Sequence, residues 1–355
     1  MNHLSRIAAK LPEYDLDAML IVSDAGERYA LGFHGEGLLL VARDSVHYST
    51  DGRYIEDAQQ KIQGVNIGLI GGGRGHIQLA QEYLKAHPEI RRIGFESGSI
   101  SVDDHQRYAD SLPGQLIPAQ KLLNGLRAAK DADEIAAMER AQAITDEAFT
   151  AILSFIHPGL TEQEVAARLV YEMLRRGAEK VSFDPIVAAG PNGSKPHAIP
   201  GSTVIEQGMF ITMDFGCMWG GYCSDMTRTV AIGQPTEEME RVYNTVLQAQ
   251  KAGIAAARAG VSGRAIDEAA RRVIAQAGYG EYFNHSFGHS LGLEIHEAPN
   301  ASPTDTTPMP VGAAISAEPG IYLPGKFGVR IEDVLILSDD GCRDITRSRK
   351  DLIVL

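Results

Sequence analysis

The chain has 355 residues, enough for more than one hydrophobic core, and its 44% hydrophobic and 22% charged content is that of a globular protein without a long disordered tail. The 33 basic and 46 acidic residues give a net charge of -13, which offers no basic footprint for nucleic acid. The three cysteines form neither a CxxC pair nor a disulfide framework, residues 1–22 lack the pattern of an export signal, and no apolar run approaches the roughly 18 residues of a membrane span; a two-domain cytoplasmic protein without membrane attachment is expected.

In chain order, Leu4, Ile7, Ala8 and Leu11 lie at helical spacing, and the short apolar run 18–22 follows as a strand. Residues 37–42 and 46–49 read as a hairpin turning at Arg43 and Asp44, and 65–69 and 92–95 as further strands around a helix near 78–85. This pattern predicts a mixed α/β domain over residues 1–128. The triplet Gly71-Gly72-Gly73 lacks the spacing and the Lys-Ser/Thr of a phosphate loop, and reads as a flexible turn. Around Leu122 to Asp133 a short polar and charged stretch leads into a long helix carrying Ile135, Met138, Ala141 and Ile144, and a second domain over 129–355 opens near Ala129.

This second domain holds an internal repeat at an offset of 101 residues, marked by punctuation more than by identity. Gly159-Leu160-Thr161 pairs with Gly260-Val261-Ser262, each ending in a helix N-cap, and Glu164 completes a capping box with Thr161. Val165 pairs with Ile266, and Gly177 with Gly278, each glycine suited to a left-handed helix end. Beyond each helix come one histidine and two acidic residues: His197, Asp214 and Asp225 in the first half, His296, Glu318 and Glu332 in the second. Two such halves related by pseudo-twofold symmetry can face their sets toward one another.

The segment Ile211-Thr212-Met213-Asp214-Phe215-Gly216 puts a carboxylate on an apolar strand, where it needs a cation or strong donors. Asp225, followed by Met226-Thr227-Arg228, repeats the situation. Taken singly, Asp214 could equally cap a turn before Gly216, and Asp225 could pair with Arg228. The Asp-Phe-Gly triplet of kinases is present without their other segments, which sets that reading aside. Residues 285–297 pack three histidines, His285, His289 and His296, and two glutamates into thirteen positions, with Ser286, Gly288, Ser290 and Gly292 leaving space between them. Ser316-Ala317-Glu318-Pro319-Gly320 and Val329-Arg330-Ile331-Glu332-Asp333 place two more glutamates on apolar strands. Four carboxylates and one imidazole suit hard or borderline divalent metals.

The set Asp214, Asp225, His289, Glu318 and Glu332, in that order and in those motifs, resembles the ligand set of the pita-bread (creatinase/aminopeptidase) metallopeptidases, which include methionine aminopeptidase, aminopeptidase P and prolidase. Residues 28–33, 50–54 and 93–96 resemble the creatinase/prolidase-type N-terminal domain, and the whole is most similar to short bacterial Xaa-Pro aminopeptidases and dipeptidases. The resemblance implies an α+β chain: a pseudo-twofold catalytic domain preceded by the smaller mixed α/β domain. It implies two divalent ions, manganese first with cobalt, iron or zinc as alternatives; Asp214 would hold one, His289 and Glu318 the other, and Asp225 and Glu332 both. A hydroxide between them would attack, with Glu318 as proton shuttle and His197 and His296 at the scissile carbonyl. His285, Arg330 and Tyr322 would lie near the substrate, a short peptide with proline second, and the protein would be a cytoplasmic homodimer. Ser290 departs from the family pattern and is expected to alter the pocket wall.

Two other readings remain. A methionine or general aminopeptidase with an extra domain is disfavoured by the N-terminal domain, which narrows the entrance in relatives that have it. A non-catalytic peptide-binding module is disfavoured because such relatives have lost metal ligands and this chain keeps all five.

Overall fold

In the computed structural model, which describes residues 2–355, strand β1 (Ala18–Ile21) is buried at every position. An all-apolar strand of this kind belongs inside a sheet covered on both faces. It is joined by β2 (Leu38–Ala42), β3 (Val46–Thr50), β4 (Asn66–Leu69), β5 (Arg92–Phe95) and β6 (Gln115–Pro118) in the order β4-β3-β2-β1-β5-β6. The hairpin β2-β3 is antiparallel with Leu38 opposite Ser49, whereas β1-β5, β5-β6 and β3-β4 are parallel. Helices α1 (His3–Lys10), α2 (Asp24–Leu31), α3 (Ile55–Lys61), α4 (His76–Ala86), α5 (Val102–Ser111) and α6 (Gln120–Ala128) accompany these strands.

The expected helix and strands near 4–11, 18–22, 37–49, 65–69, 78–85 and 92–95 are all present. The sequence reading missed α2, α3, α5, α6 and β6, taking the α6 region for a polar connecting stretch, and for α5 and β6 the reason is physical. In α5 only Tyr108 is buried, so there is no apolar stripe to detect, and β6 has four residues with exposed ends. The glycine triplet forms a turn closed by a Gly71–Arg74 bridge.

The chain divides into two compact units, Met1–Arg127 and Ala128–Leu355. The second unit opens with α7 (Ala132–Leu153), where Asp131 and Glu134 form a capping box. The repeat is then seen directly. Helices α8 (Glu162–Arg175) and α10 (Gly263–Gln276) are each 14 residues long, capped by the hydroxyls of Thr161 and Ser262. Each cap residue also bridges to a later backbone segment, Thr161 to Val204 and Ser262 to Pro308. Gly177 and Gly278 follow the two helices with φ of 97° and 87°, the left-handed exit that favours glycine.

The remaining elements are α9 (Glu237–Ala256) and strands β7 (Lys180–Val181), β8 (Ile186–Ala189), β9 (Phe210–Phe215), β10 (Cys217–Trp219), β11 (Tyr222–Cys223), β12 (Met226–Ala231), β13 (Gly288–Ser290), β14 (Glu297–Ala301), β15 (Ala314–Ala317), β16 (Gly320–Leu323), β17 (Phe327–Arg330), β18 (Asp333–Ser338), β19 (Gly341–Asp344) and β20 (Ile353–Val354). One half is built on the sheet β20-β12-β9-β8 and the other on β14-β13-β15-β18-β19. Val165 from α8 is fully buried in the core of the first half, and Ile266 from α10 in that of the second. Among the described residues no helix is long and apolar enough to cross a membrane.

In the first unit, His47 on β3 is buried with no partner on either ring nitrogen, and its ring stacks on Tyr83 at 5.2 Å. Burial holds its pKa below the ordinary value, partly offset by Glu82 and reinforced by His76. An unfolded chain therefore takes up a proton at a pH where the folded one does not. Stability is intact above the ordinary histidine pKa of about 6.5 and is lost as pH falls through the lower folded value. Melting followed by circular dichroism is expected to show a larger drop between pH 7 and pH 5 for the wild type than for His47→Phe; equal drops would refute this role.

Candidate active site

The five carboxylate and imidazole candidates all sit on or beside strands of the second unit. Asp214 is in β9, Asp225 precedes β12, His289 is in β13, Glu318 follows β15, and Glu332 lies between β17 and β18. Side chains alternate along a strand, so Asp225, Thr227 and Thr229 share a face, which turns toward the second half of the repeat. There Thr227 Oγ1 donates to Glu332 Oε2 at 2.7 Å, and Thr229 Oγ1 donates to the Arg330 carbonyl at 3.1 Å.

The structure brings the sets from the two halves together. Atoms of Asp225, His289 and Glu332 lie within 4.8 Å of one another. His289 Nε2 is 3.5 Å from Asp225 Oδ2 and 3.4 Å from Glu318 Oε1. Ser316 Oγ accepts the His289 amide and donates to Glu318 Oε1, fixing both residues. Asp214 Oδ2 accepts from Arg330 Nη2 at 2.6 Å. Asp225 is not paired with Arg228, whose guanidinium turns to Asp333 and backbone carbonyls instead. Nor is Asp214 a turn cap, since its carboxylate meets Arg330.

Burial pushes the carboxyls of Asp225 and Glu332 well above their ordinary range, and the charges of the neighbouring carboxylates push them further. Asp214 is raised by burial despite the opposing Arg330. Among the described residues, Asp214 Oδ1, Asp225 Oδ1 and Glu332 Oε1 are buried without a hydrogen-bond partner. His289 adds to this. Its Nδ1 is 3.2 Å from the Ser290 carbonyl, which can only accept, so Nδ1 donates there and Nε2 is the ring atom turned to the carboxylate oxygens. Orphaned carboxylate oxygens aimed at one space are mutually unfavourable until a cation fills it, and this donor set suits divalent ions.

These groups line a cleft of about 1180 Å³ with His197, His285, His296 and Arg330 on its wall. His285 and Arg330 both reach the Tyr322 hydroxyl at 2.8 Å. Tyr322 itself is buried behind them and is absent from the wall. His296 stands against His289 with ring centroids 4.4 Å apart. Desolvation and then the His289 ring hold the His296 pKa below its ordinary value, and burial does the same for His285. Ser290, expected in the pocket wall, is fully buried, with its hydroxyl turned to the Pro299 carbonyl.

Several supporting residues escaped the sequence reading. Glu162, fully buried at the start of α8, accepts from Ala189, Asn192 and Gly201 and so fixes the loop carrying His197. Asp267 on α10 accepts the Phe287 amide and pairs with Arg271, which donates to the His285 carbonyl. Gln142 Oε1 accepts the Asp225 amide. Strand alternation beside Asp225 could have indicated Thr227; the others are distant in sequence and carry no local signal.

Residues 136–339 match the family model of metallopeptidase family M24, and residues 3–129 match that of the creatinase/prolidase N-terminal domain. An Xaa-Pro dipeptidase of Pyrococcus horikoshii is 38% identical over 355 residues, covering 99% of this chain and 98% of that protein. Among solved structures, an Xaa-Pro dipeptidase from Bacillus anthracis superposes with a TM-score of 0.95 at 39% identity, covering 99% of each chain. An X-Pro aminopeptidase from Thermotoga maritima gives 0.91 at 35% identity, covering 96% of this chain and 98% of that one.

Adding manganese to metal-free protein at about 100 times its Kd is expected to stabilise the fold by about 2.7 kcal/mol per site, read as a rise in Tm. Asp225→Asn replaces a carboxyl crowded by its neighbours with a neutral group of the same shape, so its metal-free form should melt no lower than metal-free wild type while losing most of the manganese-induced rise. A full rise in Asp225→Asn would rule Asp225 out as a ligand.

Proposed function

The chain belongs to metallopeptidase family M24 and carries the creatinase/prolidase N-terminal domain, and from that premise we propose that it is an Xaa-Pro exopeptidase with two divalent ions in its active site. The observation that carries the proposal is the convergence of orphaned, buried oxygens of Asp214, Asp225 and Glu332 with His289 and Glu318. In this reading residues 129–355 are the catalytic domain and 1–128 the accessory domain. The three cysteines, all free thiols, support a reducing cytoplasmic setting.

Asp214 would hold one ion, His289 and Glu318 the other, and Asp225 and Glu332 both; manganese leads the candidates, with cobalt, iron and zinc behind it. Two bound divalent ions supply Lewis acidity toward the scissile carbonyl and lower the pKa of water toward neutrality. The chain's own groups supply the rest. Glu318, at the open side of the cluster, accepts a proton from the attacking water and returns it to the proline nitrogen as the C–N bond breaks. His296, kept neutral by its lowered pKa, can donate an N–H to the oxyanion that forms, and His197 faces the same space from the opposite half. His285 and Arg330, joined through Tyr322, form the wall available to the proline side of the substrate. Proline specificity is supported by the P. horikoshii and B. anthracis relatives, which are Xaa-Pro dipeptidases.

The test is hydrolysis of Ala-Pro, Met-Pro, Ala-Pro-Ala and Met-Ala-Ser by metal-stripped protein with and without manganese or cobalt. Metal-dependent cleavage confined to the proline peptides is expected, with the dipeptide and tripeptide rates separating dipeptidase from aminopeptidase. Cleavage of Met-Ala-Ser alone would replace the proposal by methionine removal. His296→Ala is expected to lower kcat roughly 10²- to 10³-fold with bound metal retained.

A further inference from the structure

A charged pair lies beside the cleft that the proposed chemistry does not use. Lys130 Nζ is 3.0 Å from Glu297 Oε2, and the two side chains are 1% and 4% exposed. Lysine and glutamate are almost never buried this fully unless paired, and removing two charges from water is a large desolvation cost. The pair spans 167 positions of sequence.

Both partners are fixed by their surroundings. Lys130 immediately precedes the N-cap of α7, and its amide donates to the Gly312 carbonyl at 3.0 Å. Glu297 is the first residue of β14, opposite Ser290 of β13, and follows His296 directly. Between these strands the chain forms a loop, residues 291–296, closed by Gly292 N to the Glu294 carbonyl at 3.0 Å and by Glu294 N to Glu297 Oε1 at 3.2 Å. The Gly292 carbonyl accepts from Cys223 N at 2.7 Å, tying the loop to the segment that leads into Asp225. A Cβ on Gly292 would come within 2.9 Å of both Glu297 Oε2 and Lys130 Cε, so the loop backbone packs directly on the ion pair. His289 leaves this loop's first strand and His296 enters its second, and their rings meet at 4.4 Å.

We propose that Lys130 and Glu297 are positioning residues for His296: their buried ion pair locks the 291–296 loop and so sets the His296 imidazole against His289. The proposal rests on the reading of His296 as the group that meets the scissile carbonyl. Neither Lys130 nor Glu297 touches the substrate or a metal in this scheme; both act through the backbone that presents the histidine. A misplacement of about 1 Å at such a group costs on the order of 100-fold in turnover.

The experiment compares Glu297→Gln, Lys130→Met, Lys130→Arg and His296→Ala, and combines each of the first two with His296→Ala, on the manganese-loaded enzyme. Glu297→Gln and Lys130→Met are expected to lower kcat roughly 10- to 100-fold with KM and bound metal unchanged, and Lys130→Arg to restore most of it. In the His296→Ala background both substitutions should cost nothing further. In metal-free protein, the His296 ring resonances in NMR spectra should shift on Glu297→Gln while those of the first unit stay fixed. Losses that multiply with His296→Ala, a parallel loss of metal, or unmoved His296 resonances would each overturn the proposal. Wild-type turnover in His296→Ala would instead sink the catalytic reading of that histidine, and the ring resonances would still decide whether the ion pair positions it. Glu297→Gln keeps the size and a hydrogen-bond acceptor, so it serves should Lys130→Met fail to fold.

Discussion

The second unit is organised around a repulsion. Asp214, Asp225, Glu318 and Glu332 converge in one place, the first two and the last of them buried, and two like charges about 4 Å apart repel by roughly 4 kcal/mol at an effective dielectric of about 20. Arg330 offsets one of the four by its bond to Asp214. Asp225 and Glu332 are left with raised proton affinity and an orphaned oxygen each. The strands carrying them therefore cannot be held together by the cluster itself, and the fold around it must hold them before any cation arrives.

That holding is done by a second polar layer behind the cluster. Arg228, buried on β12, donates to the Thr227 carbonyl and to the Glu332 carbonyl, clamping the segments that carry Asp225 and Glu332 edge to edge, while its other nitrogens reach Asp333, Ser348 and Arg349. Burial acts to raise Asp333, yet Arg228 and Lys350 hold its carboxyl below the ordinary range. The C-terminal segment completes the layer. Asp146 of α7 accepts the amides of Arg347 and Ser348, Tyr243 of α9 donates to the Lys350 carbonyl, and β20 then pairs with β12. Chain from the second half of the repeat thus finishes in the sheet of the first, and the two halves cannot separate without breaking it.

Which parts of this were legible in the sequence follows from the range of the interactions involved. The repeat was readable because helix ends are local: Thr161 with Glu164 and Gly177 announces one helix, Ser262 with Gly278 the other, and the structure places both where the spacing put them. The candidate ligands were readable because each sits in a short apolar run that makes a lone carboxylate conspicuous. Side-chain direction was not. Ser290 and Tyr322 lie within the right motifs, yet Ser290 turns to the Pro299 carbonyl and Tyr322 lies behind the cleft wall. The supporting groups Glu162, Asp267, Gln142, Lys130 and Glu297 act over separations that no local pattern records, and in the first unit the short, mostly exposed α5 offered no apolar stripe at all.

The direction of one hydrogen-bond chain shows how far the carboxylate cluster reaches into the cleft wall. A guanidinium only donates, so Tyr322 must accept from Arg330 Nη1; burial pushes the Tyr322 hydroxyl up to about 12, so it keeps its proton and donates a hydrogen bond to His285 Nε2. His285 Nδ1 then donates to the Ser286 carbonyl, which fixes the neutral tautomer, in agreement with the lowered pKa that burial imposes. The same guanidinium serves Asp214, Tyr322, Thr227 and the Pro196 carbonyl next to His197. One planar group therefore sets a candidate metal ligand, the tautomer of one wall histidine and the backbone beside another. A lysine, with a single compact ammonium, could satisfy only part of that set, so the arginine is required by geometry as much as by charge.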